Sequence, residues 1–354
     1  MPIIKDMNVF NSWLLILKHF LMSKFKHFLG IDVSKEYFDV VLIMNGEKEK
    51  PIHNQFVNDS KGVKALNQWL KKQRATNLET LVCLEHTGMY GKLIIKYLMI
   101  FNYSLWVEMS LKIIRSMGLQ RGKNDKIDAE RIAIYAMKNL QDAVIYKAPS
   151  KTVEKIRSLM SLREKLILTK STLMRNSKEI KSLDPELSKL SEKFQKKTLK
   201  GITSDLKEIE KQLDVFIKGD ENLNKIYSLA ISVPGVGKVT TLYLICFTNE
   251  FKAYSSPRQL ACYAGVVPFE YTSGKSIRSK PRVHHMANKK LKKHLHMCAL
   301  SAVNHDPEMK EYFKRKVAEG KNKMLVINNI RNKLVHRICA CIRENKTFEV
   351  RKAA

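Results

Sequence analysis

Phe28-Leu29-Gly30-Ile31-Asp32-Val33 is an apolar run with one carboxylate set into it. An unpartnered carboxylate costs several kcal/mol to bury, so Asp32 needs a reason to be there. A second acid, Glu85, closes the run Leu81-Val82-Cys83-Leu84-Glu85, and Asp125 and Asp128 stand three apart in Lys123-Asn124-Asp125-Lys126-Ile127-Asp128-Ala129-Glu130. If the segment after Asp125 is helical, that spacing puts both aspartates on one face. Four acids converging from two strand ends and one helix repel one another and raise their own pKa values unless a hard divalent cation lies between them. The pattern predicts a magnesium-dependent phosphoryl-transfer site, with manganese as the substitute ion. Taken singly, each acid has a plainer reading: an acid in a strand is often an edge or capping residue, and Asp125 and Asp128 suit the first turn of any helix. Their order along the chain gives the set its meaning.

Outward from Asp32, residues 25–148 alternate strand and helix. Phe28 to Val33, Tyr37 to Met44 and Pro51 to Val57 read as strands, with Asn45-Gly46 as a hairpin turn. Ser60 is expected to cap a helix running to about Lys72, followed by a strand from Leu78 to Glu85, a helix from Gly88 to Phe101 and a strand from Tyr103 to Val107. Three meandering strands followed by alternating helix and strand is the ribonuclease-H-like order. Residues 1–24 read as an extension, with Met22 as an alternative start; their apolar stretch is too short to span a bilayer and no cleavage site follows it.

Residues 149–220 carry no strand signal. Leu159, Leu162 and Leu166, then Leu183, Leu187, Leu190 and Phe194 have heptad-like spacing, and a second register runs through Leu199, Ile202, Leu206, Ile209, Leu213 and Phe216. Pro185 divides the segment into two long helices. They form either a dimerising coiled-coil arm or a hairpin packed on itself. Residues 221–354 read as a helical domain with one conspicuous turn, Val233-Pro234-Gly235-Val236-Gly237-Lys238. The turn lacks the first glycine of a Walker A loop, so no nucleoside-triphosphate site is implied. Between apolar helices it fits a helix-hairpin-helix turn, with Gly235, Gly237 and Lys238 as nucleic-acid contacts; a plain helix-to-helix turn is the simpler reading. The expected fold class is α/β plus α: an RNase H-like (RuvC-like) domain, a helical coiled-coil arm and a C-terminal helical domain with a helix-hairpin-helix.

The 354 residues carry 64 Lys and Arg against 34 Asp and Glu, a formal net charge of +30. That excess fits a polyanion, and the clustered acids favour nucleic acid over a membrane surface. The six cysteines include no CxxC pair and read as reduced, buried thiols of a cytoplasmic protein. From Tyr271 to His305 there is no acid at all, while Lys275, Arg278, Lys280, Arg282, Lys289 and Lys290 recur there behind Tyr271-Thr272-Ser273-Gly274-Lys275-Ser276. Such cations neutralise phosphates, and a hydroxyl in their field can act as a nucleophile. Composition does not choose among Ser273, Ser276, Thr272 and Tyr271.

Together these segments, with Leu84-Glu85-His86-Thr87-Gly88-Met89-Tyr90 and Gln259-Leu260-Ala261-Cys262-Tyr263-Ala264-Gly265-Val266-Val267-Pro268, resemble the transposases of the insertion-sequence 110 family and the related Piv-type DNA invertases. The likeness spans roughly residues 26 to 345. His86 departs from the family's usual Ala or Ser and Asn124 from its Thr or Ser; neither is a carboxylate. The resemblance implies a RuvC-like DEDD domain whose metal ligands are Asp32, Glu85, Asp125 and Asp128, a coiled-coil dimerisation region, and a C-terminal transposase domain whose catalytic serine is Ser273. It further implies excision and insertion of a mobile element, guidance by a structured bridge RNA that pairs with both DNA partners, and assembly as a dimer or tetramer. A prokaryotic, nucleoid-associated location and no membrane partner go with that reading. Two other functions are weighed: a Holliday-junction-resolvase type nuclease using water, and a non-catalytic nucleic-acid-binding protein on the same scaffold.

Overall fold

The apolar run around Asp32 is the middle strand of a five-stranded sheet. β1 (His27–Val33) lies between β2 (Tyr37–Ile43) and β4 (Thr80–Glu85), with β3 (Ile52–Val57) and β5 (Ser104–Glu108) at the edges. β1, β2 and β3 form an antiparallel meander, and β4 and β5 run parallel to β1. Asn45 and Gly46, at φ 51° and 74°, form a turn closed by the Glu47 N–H on the Met44 carbonyl at 2.8 Å, within the longer loop that joins β2 to β3. The computed structural model describes residues 24–48, 50–86, 88–118, 124–254, 256–273 and 277–349. The expected extension therefore lies, apart from Lys24, outside the described residues.

Both faces of the sheet are covered. On one, α1 (Ser60–Lys72) and α2 (Lys92–Ile100) bury Leu66, Leu70, Ile94 and Leu98 against Leu29, Ile31 and Leu84. After the short α3 (Ser110–Ser116), α4 (Asp125–Lys138) lays Ala129, Ile132, Ala133 and Ala136 on the other face, over Phe28, Val41, Cys83 and Trp106. Gly30 is the reason α4 comes so near β1: a Cβ there would stand 2.2 Å from the Ala129 carbonyl oxygen and 2.3 Å from the Ala133 nitrogen. Those are backbone atoms that cannot rotate away. Gly30→Ala should therefore push α4 off the sheet and cost about 3 kcal/mol. Gly201, inside a later helix with nothing within 4 Å of its built Cβ, should show the opposite sign, with Gly201→Ala stabilising by about 0.5–1 kcal/mol. Paired urea melts would test both; a neutral Gly30→Ala would mean that the close approach is not required.

Besides one-residue shifts at several element ends, three boundaries differ from the sequence reading. Asp59, not Ser60, caps α1, because its carboxylate accepts from the Gly62 backbone N–H at 2.7 Å. The second helix starts at Lys92 rather than Gly88, whose φ of +68° is incompatible with a helix. Leu78 precedes β4 and is exposed.

The chain divides into two compact units, Met1–Ala148 and Pro149–Ala354. In the second, α5 (Lys151–Leu183) and α6 (Pro185–Lys218) meet at Asp184, which caps α6 by accepting from the Glu186 and Leu187 N–H groups. Pro185 at the first turn keeps the two helices separate. Of the two readings for this segment, the helices do pack on each other within one chain. Arg163 reaches Glu210, Lys170 reaches Thr203 and Ser177 reaches Gln195, an antiparallel ladder. Ile202, Ile209 and Leu213 of the second register are buried, while Leu162, Leu183, Leu187, Leu190 and Phe194 of the first stay exposed.

The remaining helices are α7 (Glu221–Ile231), α8 (Lys238–Thr248), α9 (Pro257–Tyr263), α10 (Lys289–His305), α11 (Pro307–Ala318) and α12 (Lys323–Glu344). Their core includes Leu244, Leu260, Leu291, Leu295, Ile330 and Leu334. The region is not wholly helical as expected, because β6 (Phe269–Ser273) and β7 (Ile277–Arg282) pair as an antiparallel hairpin. Phe269, Tyr271, Thr272 and Ile277 favour strands, and Ser273-Gly274 is turn chemistry. All six cysteines are free, four of them buried, and no described helix is long and apolar enough to cross a membrane.

Candidate functional site

The sheet register gathers the acids. Asp32 stands opposite Asp39, Asp39 opposite Gln55, and Glu85 opposite Glu108, while Ile31 pairs with Leu84, one step before Asp32 and Glu85. One polar row, Gln55-Asp39-Asp32-Glu85-Glu108, thus crosses all five strands. It lies on the face covered by α4, at the strand ends where α4 begins.

The outer members of the row are committed to the fold. Asp39 is buried and accepts from Gln55 Nε2 at 2.9 Å, with His53 Nε2 at 2.7 Å from its other oxygen. Glu108 is buried too, and accepts from the Met109 N–H, Lys112 Nζ and Tyr135 hydroxyl. Sequence reasoning missed both residues. Leu105-Trp106-Val107-Glu108 repeats the apolar-run-ending-in-Glu pattern that singled out Glu85, so the signal for Glu108 was there.

The inner members are different. Asp32 and Glu85 have no cationic side-chain partner among the described residues. Asp32 is half-buried, and its carboxyl is pushed up to about 6, first by burial and then by the charges of Glu85, Asp128 and Asp125 in turn. All four acids named from sequence therefore act on one point. Asn124 supplies the start of α4, its side chain accepting from the Lys126 N–H at 3.1 Å, so the substitution of Asn for Thr or Ser keeps the cap. Asp125 is exposed in the first turn, and Asp128, three residues on, is paired with Arg131 at 2.7 Å.

Hard carboxylate oxygens suit a magnesium-sized cation, and the repulsion that lifts Asp32 is what such a cation relieves. Among the described residues, however, no three His, Cys, Asp or Glu side chains are drawn together closely enough to hold a metal ion. Arg131 engages one oxygen of Asp128 and leaves the other for a cation.

The C-terminal candidates fall into two groups. Gly235 (φ 88°) sits where a Cβ would be 2.7 Å from the Ala302 nitrogen and the Cys298 carbonyl oxygen, so it lets the turn before α8 approach α10. Lys238 turns back onto α6, pairing with Asp214 at 2.6 Å and donating to the Glu210 carbonyl at 3.3 Å. Lys290 pairs with Glu164 and lies over the Tyr243 ring. Gly237 has open space around it, and Arg282 and Lys289 are exposed. Gly274, Lys275 and Ser276 lie outside the described residues, as do the side chains of Ser273, Arg278 and Lys280. The backbone places Ser273 at the last position of β6, opposite Ile277.

A 3-2-1-4-5 mixed sheet flanked by helices, with its acids gathered beside β1, fits an RNase H-like DEDD domain. The comparisons agree. A family model for the IS110 DEDD transposase matches residues 29–183, and the IS116/IS110/IS902 family transposase model matches residues 227–314. The pilin gene-inverting protein of Moraxella bovis is 25% identical over 330 residues, 92% of this chain and 98% of that protein. The insertion element IS110 43.6 kDa protein of Streptomyces coelicolor is 29% identical over 125 residues, 35% of this chain and 30% of its own. The transposase for insertion sequence element IS1111A of Coxiella burnetii is 24% identical over 187 residues, 44% of this chain and 48% of its own. Two family models matching in order along the chain, together with a relative aligned over nearly its whole length, support an IS110-family transposase, an enzyme of DNA recombination.

Proposed function

We propose that this chain excises and inserts a mobile element by magnesium-dependent serine attack on DNA phosphodiesters, guided by a structured RNA. The observation that supports the reading is that Glu85, Asp128 and Asp125 lie near enough to Asp32, at one end of the sheet, for their charges to add to burial in raising its carboxyl, although no three of the four are drawn together as ligands. A binding module gains nothing from acids that repel both one another and the nucleic acid. These four residues would hold the cation, which when bound supplies charge stabilisation at the scissile phosphate. Ser273 is the nucleophile in this reading. Its hydroxyl oxygen bonds to phosphorus, the bond to one DNA oxygen breaks, and that oxygen leaves with a proton. The resulting phosphoserine ester conserves the bond energy, so rejoining to another strand needs no nucleotide triphosphate.

Exposed cations such as Arg282 and Lys289 would hold the strand, with Lys275, Arg278 and Lys280 beside the serine and the Gly235–Lys238 turn as a helix-hairpin-helix contact. Oligomers, dimer to tetramer, would follow from the coiled-coil segment, whose apolar residues at Leu183, Leu187, Leu190 and Phe194 have no cover within the chain as described. The Moraxella relative is named for gene inversion and the Coxiella relative for transposition, and a recombinase reading of this chain is in keeping with both names.

The guided reading is tested by what the purified chain retains. With a net charge of +30 it should carry nucleic acid indiscriminately at low salt, and shed most of it as salt rises. One RNA, encoded beside the gene, should remain at moderate salt and be required for strand exchange. Recovery of random cellular RNA alone, with full exchange after nuclease treatment, would remove guidance from the proposal.

A further inference from the structure

The start of β2, the end of β3 and the loop after β4 lie just beyond Asp32 and Glu85, and they carry apolar side chains that the described residues leave exposed. Tyr37 is 47% exposed, Val57 48%, Met89 79% and Tyr90 50%. Tyr37 and Val57 are cross-strand partners at the ends of β2 and β3. Asn58 ties the rest to them: its Nδ2 donates to the Ser34 carbonyl at 2.9 Å and the Tyr90 carbonyl at 3.2 Å, and its backbone N–H donates to the Glu36 carbonyl at 2.8 Å. Three segments are pinned by one side chain. The Oδ1 of Asn58 is buried with no partner among the described residues, so the amide is held in an orientation that serves its two donors. The β1–β2 loop is itself tight, Ser34 Oγ donating to the Tyr37 carbonyl at 2.7 Å and accepting from the Tyr37 N–H at 3.2 Å. A tethered apolar surface of this kind is a built feature of the carboxylate end of the sheet.

The occupant follows from charge. A DNA backbone brought to the four acids is repelled by them, so affinity close to the site has to come from contacts that are not ionic. Tyrosine rings and a methionine thioether offer that, because every base has a face to stack and the contact is tolerant of sequence. Lys35, in the β1–β2 loop, and Lys92, the first residue of α2, are both exposed next to these segments and suit the strand's phosphates. We propose that Tyr37, Val57, Met89 and Tyr90 form a stacking platform for a DNA base unpaired beside the scissile phosphate, with Asn58 as the residue that positions it. The inference rests on DNA being processed at the carboxylate end of the sheet.

The test separates binding from chemistry. The full chain, without divalent metal, is titrated with a DNA duplex carrying a central unpaired stretch that contains 2-aminopurine, and with the fully paired duplex. Binding should quench the 2-aminopurine. Tyr90→Ala should lose the quench and bind the unpaired DNA about tenfold more weakly, with paired duplex unchanged and Tyr90→Phe like the parent. Met89→Ala, at a more exposed side chain, should show the same pattern should Tyr90→Ala fail to fold. Asn58→Ala, which keeps all four platform side chains, should lose part of the quench. Unchanged binding by the alanine variants, equal loss on paired and unpaired DNA, or a loss confined to single-stranded RNA would each overturn the platform. Failure of the carboxylate site itself would be seen instead as metal-dependent cleavage surviving Asp32→Ala.

Discussion

Asp32→Ala is expected to abolish DNA cleavage, by roughly a thousandfold or more, while leaving the fold intact. Glu85→Ala and Asp128→Ala should do the same. The charges of Glu85, Asp128 and Asp125 all act on Asp32, and its half-buried carboxyl is raised to about 6. Removing one of four mutually repelling groups relieves the metal-free protein. The linkage has a definite sign. A carboxyl raised in the folded state binds its proton more tightly there than in the unfolded chain. The metal-free fold therefore loses stability as pH rises from about 4 to about 6, by about 1–2 kcal/mol after solvent screening. Above that window Asp32 is ionised and open to a cation, so magnesium should raise the Tm strongly at about pH 7.5 and weakly at about pH 5. Asp32→Asn should flatten both trends. Scanning calorimetry with and without magnesium at the two pH values would check this. Full magnesium-dependent cleavage by any of the three alanine variants would remove that residue from the site.

Ser273→Ala is expected to abolish the covalent protein–DNA species formed during strand exchange, with DNA binding retained. Ser273 ends β6 at the head of a segment that contains no acid, the setting in which a hydroxyl's developing charge is best stabilised. End-labelled DNA run on a denaturing gel with the parent protein should show a shifted band that is sensitive to protease. The band should vanish in Ser273→Ala and persist in Ser276→Ala. Persistence in Ser273→Ala would move the nucleophile to another hydroxyl. Cleavage with no adduct in the parent would assign the attack to water and make this chain a hydrolytic nuclease of the resolvase kind.

Much of the fold was legible because strand periodicity and turn chemistry are local. The meander, the Asn45-Gly46 turn, the alternation after Ser60 and the break at Pro185 are all read from neighbouring residues, and all occur. Asp32 and Glu85 stood out because a carboxylate set in or closing an apolar run violates the pattern around it, and Asp125 and Asp128 by their spacing and their order behind those two. Helix starts were less legible. Asp59 and Ser60 are both good caps, and only the Gly62 N–H decides between them. The β6–β7 hairpin was hidden by a density of lysines and histidines that resembles a solvated helix face.

By itself, then, the sequence determined which residues are acids in apolar runs, the strand and helix order of the first 148 residues, and that the charge suits a polyanion. Tertiary structure alone decided which of the acids have internal partners. Asp39 and Glu108 occupy the same row as Asp32 and Glu85, yet both are absorbed by internal donors, and no local pattern distinguishes the two pairs. It also decided that Gly30 is where a helix backbone meets a strand, and that Lys238 answers Asp214 rather than solvent. The physical reason is the same in each case. A side chain's partner is set by residues far along the chain that share its row or face, and that sharing exists only once the sheet has closed and the helices have packed.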